Sequence, residues 1–211
     1  MEPAKNPPMR EAYELAFRKA GEALARSDLG AVCRRTGAAW NGSTLSVEFF
    51  GSRVEVRLPE PASPERALPA LEPPDLPLME KILVLHYLTG GGESPASERL
   101  VSFKNLPGAA FYANPYQKRG PARIARRFGA RPEEFRRACS ALGGKPEQFG
   151  DLAYSFEVFP RIRAVVVLHL GDDEFPSDAG ILHNEGIVGF LPLEDVAVLG
   201  GSIATRLSRA V

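Results

Sequence analysis

The chain has 211 residues with 26 basic and 26 acidic side chains, so its formal net charge is zero. A hydrophobic share of 44% and a charged share of 25% exclude disorder of the chain as a whole, and the even charge balance excludes a global field that would draw in nucleic acid. The start, Met1–Arg10, is polar and no apolar run approaches about 20 residues, so neither a leader nor a membrane span is expected and the expected location is the cytoplasm.

The first element is a predicted helix over Glu11–Leu29, where Tyr13, Ala16, Ala20 and Leu24 recur at helical spacing. A short second helix carries Leu29, Val32 and Cys33, with Ser27 as its expected cap and Gly37 as its stop. A β-meander follows. Ala38–Trp40 reaches an Asn41-Gly42 pair that reads as a type I′ turn, Leu45–Phe50 alternates, Gly51-Ser52 turns the chain, and Val54, Val56 and Leu58 alternate again. Residues 59–77 hold seven prolines, which forbids helix or central strand there. This stretch reads as a crossover inside one domain covering 1–211, because the 58 residues before it make a thin domain.

Leu78–Thr89 is apolar nearly all round and is the expected central, buried helix. Gly90-Gly91-Gly92 ends it and opens a loop to Glu98, and Leu100–Phe103 reads as a strand. Pro121–Phe128 and Pro132–Leu142 are predicted helices with proline near the start and glycine after the end. Tyr154–Val158 and Arg163–Leu170 are predicted strands. The run Ala164–Leu168 within the second is continuously apolar and should be buried on both faces. A helix after Pro192 closes the chain. Strands at both ends with helices between them predict an α+β fold, a mainly antiparallel sheet packed against helices.

Cys33 and Cys139 fit no zinc or iron–sulfur spacing and are expected as free thiols on apolar helix faces. Three other features could carry chemistry. The first is Gly171–Pro176, where Asp172, Asp173 and Glu174 follow a buried strand, with His169 before them and His183 and Glu185 after. Imidazoles with carboxylates suit zinc, manganese or iron, so His169, Asp172, Asp173, Glu174 and His183 form a candidate metal set. The spacing matches no ligand motif, and the plain alternative is a solvated turn capped by its own aspartates. The second is the basic stretch Lys118, Arg119, Arg123, Arg126, Arg127, Arg131, Arg136 and Arg137, in which Arg119, Arg123, Arg126 and Arg127 are spaced to share one helical face. It suits anion capture from a phosphate or an acidic partner. Few aromatics interleave, which argues against nucleic acid. The alternative is mutual neutralisation, inside one fold or across a dimer, since residues 151–195 hold nine acids against Arg161 and Arg163. The third is Ser102, Phe103 and Asn105 with Phe111, Tyr112, Asn114 and Tyr116, a mixture that can line a small-molecule pocket or pack into a core. Of these, Ser102, Phe103, Asn105 and Tyr112, with Arg119 and Arg123 added, are the candidate ligand-binding set. His86 sits in the apolar helix and reads as a core histidine.

Leu100–Tyr112 (LVSFKNLPGAAFY), Gly150–Pro160 (GDLAYSFEVFP), Gly171–Pro176 (GDDEFP) and Leu191–Asp195 (LPLED), with the opening helix and the hairpin at Phe49–Gly51, resemble an uncharacterised family. That family of unknown function is found mainly in anaerobic bacteria and archaea and is sometimes fused to iron–sulfur cluster modules. The resemblance implies a cytoplasmic domain in the metal or corrinoid metabolism of an anaerobe, with no agreed catalytic residues. Two departures stand out. The cysteine-rich segment of the fused members is missing, and His183-Asn184 stands where the resemblance implies an apolar residue and then an acid. The expected function is a non-catalytic accessory or ligand-binding protein, its pocket formed by the Ser102–Tyr116 loop facing the Gly171–Pro176 turn. Its partner would be a metalloenzyme, or a corrinoid or iron–sulfur protein. The alternative is a metal-dependent enzyme using the 169–185 cluster. The sequence names no cofactor.

Overall fold

A computed structural model describes residues 7–58, 68–91 and 99–211, with the side chains of residues 7–9 left undescribed. The chain divides into two compact units, Met1–Glu48 with Arg53–Gly91, and Phe49–Ser52 with Gly92–Val211. The fold is α+β with two antiparallel sheets.

In the first unit, α1 (Pro7–Ala25) and α2 (Leu29–Thr36) pack on α3 (Leu78–Thr89). Helix α1 buries Phe17, Ala20 and Leu24, three to four residues apart, and leaves its charged face to solvent. The cap of α2 is Asp28 rather than Ser27, because the Asp28 carboxylate accepts from the Ala31 N–H. Gly37 ends α2 at φ 75°, where its missing Cβ removes the left-handed penalty. Helix α3 has the predicted bounds and buries Ile82, Leu83, Val84, Leu85, Tyr87 and Leu88. Its Tyr87 hydroxyl donates to the Thr36 carbonyl at 2.6 Å, and Arg35 donates to the Leu88 carbonyl at 2.9 Å, so the end of α2 is tied to α3 twice.

The first sheet runs β1 (Ala39–Trp40), β2 (Thr44–Phe49), β3 (Ser52–Arg57), β4 (Ala70–Glu72) in that order. Trp40 pairs with Leu45, so four residues intervene at Asn41-Gly42 and the expected two-residue type I′ turn is absent. The reason is local: the Asn41 side chain accepts from the Ser43 and Thr44 N–H groups, closing the turn itself. The two-residue turn with positive φ comes one strand later and one residue earlier than expected, at Phe50 (φ 50°) and Gly51 (φ 69°). Strand β4 is an edge strand, the one sheet position compatible with a proline-rich stretch. The rest of the crossover, 59–67, and most of the loop after Gly91 lie outside the described residues.

In the second unit the sheet order is β5 (Leu100–Ser102), β9 (Asp178–Asn184), β8 (Ile162–His169), β7 (Leu152–Phe159), β6 (Lys145–Glu147). Strand β8 is internal and buried along nearly its whole length, as its apolar run requires. Single helical turns at Phe103–Asn105 and Ala109–Phe111 lead into α4 (Ala113–Arg119), α5 (Pro121–Phe128) and α6 (Pro132–Ala141), and another at Glu185–Gly189 leads into α7 (Leu193–Arg209). Helix α5 lies over β8 and β9 and packs on α4, α6 and α7. Phe49 and Phe50 fit into this unit: Phe49 meets Phe159 at 4.8 Å between ring centroids, the Phe50 N–H donates to the Val158 carbonyl, and Arg206 of α7 stacks over both rings. Both cysteines are free, with Cys139 buried and Cys33 half-buried. Among the described residues no helix is long and apolar enough to cross a membrane.

Replacing Leu85, fully buried in α3, with alanine should lower stability by about 2–5 kcal/mol through the cavity it leaves. Tyr87→Phe, which leaves the buried Thr36 carbonyl unpaired, should cost about 1 kcal/mol. Urea unfolding checks both; wild-type midpoints for either variant would contradict this packing.

Candidate functional site

Strand β9 places His183 opposite Val101 on one side and Ala164 on the other. Cross-strand pairs share a sheet face, so all three lie on one face, and His183 is completely buried there. Tyr116 of α4 reaches down to it, with its hydroxyl 2.9 Å from His183 Nε2 and 3.3 Å from the Ile181 carbonyl. Phe103 stacks on the Tyr116 ring at 4.1 Å, nearly parallel. One proton arrangement satisfies both contacts: the Tyr116 O–H donates to Ile181, and His183 Nε2–H donates to the Tyr116 oxygen. Nδ1, which has no partner among the described residues, is then a bare acceptor rather than an orphaned donor. Burial favours the neutral imidazole and lowers the His183 pKa to about 4. Burial likewise raises that of Tyr116.

Tyr116 reaches the sheet through a notch. A Cβ on Gly200 of α7 would lie 2.7 Å from the Tyr116 ring, and one on Gly120 would lie 2.9 Å from the Gly200 carbonyl oxygen. The sequence marks these two close approaches only by glycines in or beside helical patterns.

The other expected pocket residues scatter. Ser102 pairs with Leu182 and so lies on the opposite sheet face from His183, its hydroxyl buried without a partner among the described residues. Asn105 and Asn114 are exposed, and Phe111 is 90% exposed. The Tyr112 hydroxyl donates to Glu194 of α7 at 2.6 Å, which raises its pKa. Arg123 donates to the Thr205 hydroxyl at 3.1 Å, and Arg119 is exposed. Among these residues the structure brings together Phe103 and Tyr116, with His183 added.

The candidate metal set is spread along the sheet. His169 is exposed at the end of β8, opposite Asp178, whereas His183 lies five residues further along β9, about 17 Å at strand rise. The Asp172 carboxylate accepts from the Phe175 and Glu174 N–H groups, which hold its pKa below the usual range. Asp173 and Glu174 are exposed. Among the described residues no group of three or more His, Cys, Asp or Glu side chains could hold a metal ion. The Asn184 side chain accepts from the Arg163 N–H and donates to the Arg161 carbonyl, clamping the β7–β8 turn.

The basic stretch divides by environment. Arg127 pairs with Glu134, and Arg136 with Glu133. The Arg127 hydrogen bond, followed by the charges around it, lowers the Glu134 pKa. Lys118, Arg119 and Arg126 are exposed and have no carboxylate partner among the described residues. The expected single helical face is broken at Gly120, which separates Arg119 on α4 from the arginines of α5. Arg123 then turns toward α7 and Arg127 toward α6, leaving Arg126 outward. No ion pair joins these helices to the acids of residues 151–195 among the described residues, so internal neutralisation by direct pairing does not occur there.

The model of one protein family matches residues 28–206, most of the chain and parts of both units. The chain belongs to the DUF3786 family, a domain of unknown function. No curated protein matches it, and no solved structure does. Apart from the opening helix, every segment that carries the resemblance in this DUF3786 chain lies in the second unit: the Phe49–Gly51 tip, β5 and the turns after it, β7, the β8–β9 turn, and the start of α7.

Two outcomes follow from the buried pair. The folded-state pKa of His183 lies below its unfolded value, so its contribution is fully present above about pH 6.5 and is lost as pH falls toward about 4. The slope over that window should approach about 1.4 kcal/mol per pH unit. His183→Gln should remove that slope, measured as the difference between urea titrations of variant and wild type; parallel curves would contradict it. Gly200→Ala should destabilise by about 1–3 kcal/mol through overpacking on Tyr116, and a wild-type thermal midpoint would contradict the notch.

Proposed function

We propose that this protein is a non-catalytic accessory protein that binds an acidic partner surface through the α4–α5 face. The observation that carries this reading is the set of exposed cations without carboxylate partners among the described residues, Lys118, Arg119 and Arg126, beside Arg127 and Arg136, each of which is paired with a glutamate. Cations already paired internally gain little from a partner, whereas unpaired ones steer association and fix orientation. Phe111, 90% exposed just before α4, supplies an apolar anchor of the kind that dominates interface energies. The family resemblance supports placing the partner among the iron–sulfur or corrinoid enzymes of an anaerobe, in the cytoplasm.

Calorimetry with an Asp- and Glu-rich peptide carrying one aromatic residue tests the reading. Wild type should bind it, more weakly as salt rises. Arg119→Glu/Arg126→Glu should weaken binding about tenfold, and Phe111→Ala by a similar factor. Affinity unchanged in the arginine variant, or a DNA duplex bound in preference to the peptide, would overturn it.

A further inference from the structure

The second unit carries another exposed surface, at the end of the sheet where β7, β8 and β9 turn. Phe149, Leu170 and Phe175 stand there 40%, 38% and 68% exposed. The chain brings them together. The Asp151 carboxylate accepts from the Leu170 N–H at 2.8 Å, Gly150 lies against Val167 and His169, and the Asp172 N–H donates to the Phe175 carbonyl. Three large apolar side chains thus stand exposed in neighbouring turns at one end of the sheet, the kind of surface that marks an interaction site where such groups gather. Its rim is acidic: Asp173, Glu174 and Asp178 are exposed and form no ion pair among the described residues.

This rim adjoins the cationic face. Gly129, the residue after α5, lies so close to Ser177 that a Cβ there would overlap its side chain, and Arg126 is one helical turn earlier. One side of the contact is positive with unpaired cations, and the other is negative with exposed apolar groups. We propose that this composite surface binds a second copy of the chain. In a two-fold pair the acidic, apolar rim of each copy would meet Arg119 and Arg126 of the other. An interface in which residue i meets j and j meets i closes on itself as a dimer. The formal net charge of zero leaves no long-range repulsion to oppose it. The proposal rests on the reading of the α4–α5 face as an acceptor of acidic groups and names its resident occupant; an acidic partner would compete with the second copy.

Sedimentation velocity over a range of concentration and salt tests this with exposed residues only. Wild type should form dimers that dissociate as salt rises. Arg119→Glu/Arg126→Glu and Asp173→Arg/Glu174→Arg should each weaken the dimer about tenfold or more, and the quadruple variant, its charges exchanged, should regain wild-type dimerisation. A wild type that stays monomeric, or a quadruple variant as weak as either double, would overturn the proposal. Acidic-peptide affinity measured on the same samples separates the two readings. A monomeric wild type that loses peptide binding on Arg119→Glu/Arg126→Glu sinks self-association alone. Unchanged peptide binding in that variant sinks the accessory reading instead.

Discussion

The helical layer of the second unit depends on a single crossing, where Tyr116 of α4 passes α7 at Gly200 and ends on His183 in the sheet. Helices α4 and α5 together bury Tyr116, Ile124, Ala125 and Phe128 against the unit's interior, but the apolar contacts among these have no direction. The hydrogen bond to a fully buried imidazole is directional, and an unmade bond there leaves a polar group stranded in a low dielectric. Tyr116 therefore sets where α4 sits, and the close approach of Gly120 to the Gly200 carbonyl carries that constraint into α5.

What those helices present follows from the same constraint. The break at Gly120 divides a run of arginines that the sequence places on one face. Some turn inward to Thr205 and Glu134, and Arg119 and Arg126 remain outward. A protein with no net charge thus carries a locally cationic surface beside a locally acidic one, joined at Gly129 and Ser177. Local complementarity of this kind directs association without raising the charge of the whole molecule.

Much of the fold was legible from periodicity alone. Helix α3 has the predicted bounds because its apolar residues leave no polar face to misplace, and β8 was visible as an uninterrupted apolar run. Helix α4 was hidden because Pro115 looks like a breaker; it lies in the first turn, where N–H groups have no intrahelical partner anyway. Strand β9 was hidden because Gly180 and His183 interrupt its pattern, although Ala179, Ile181 and His183 alternate inward as a strand requires. The expected sites fared unevenly for a related reason. Sequence spacing put His183 with the acids of the β8–β9 turn, while the strand between them carries it to the buried middle of the sheet. The pairing of His183 with Tyr116 joins residues 67 apart and has no local signature.

A neutral, buried His183 locks α4, and with it the cationic face, onto the sheet. Imidazole nitrogen chemical shifts of His183, followed by NMR from pH 8 down toward 4, are the measurement to make. A single neutral tautomer with the proton on Nε2 should persist through pH 5 and titrate only near pH 4. An imidazolium forming near pH 6.5, or an even mixture of tautomers, would show a ring open to solvent and would contradict it.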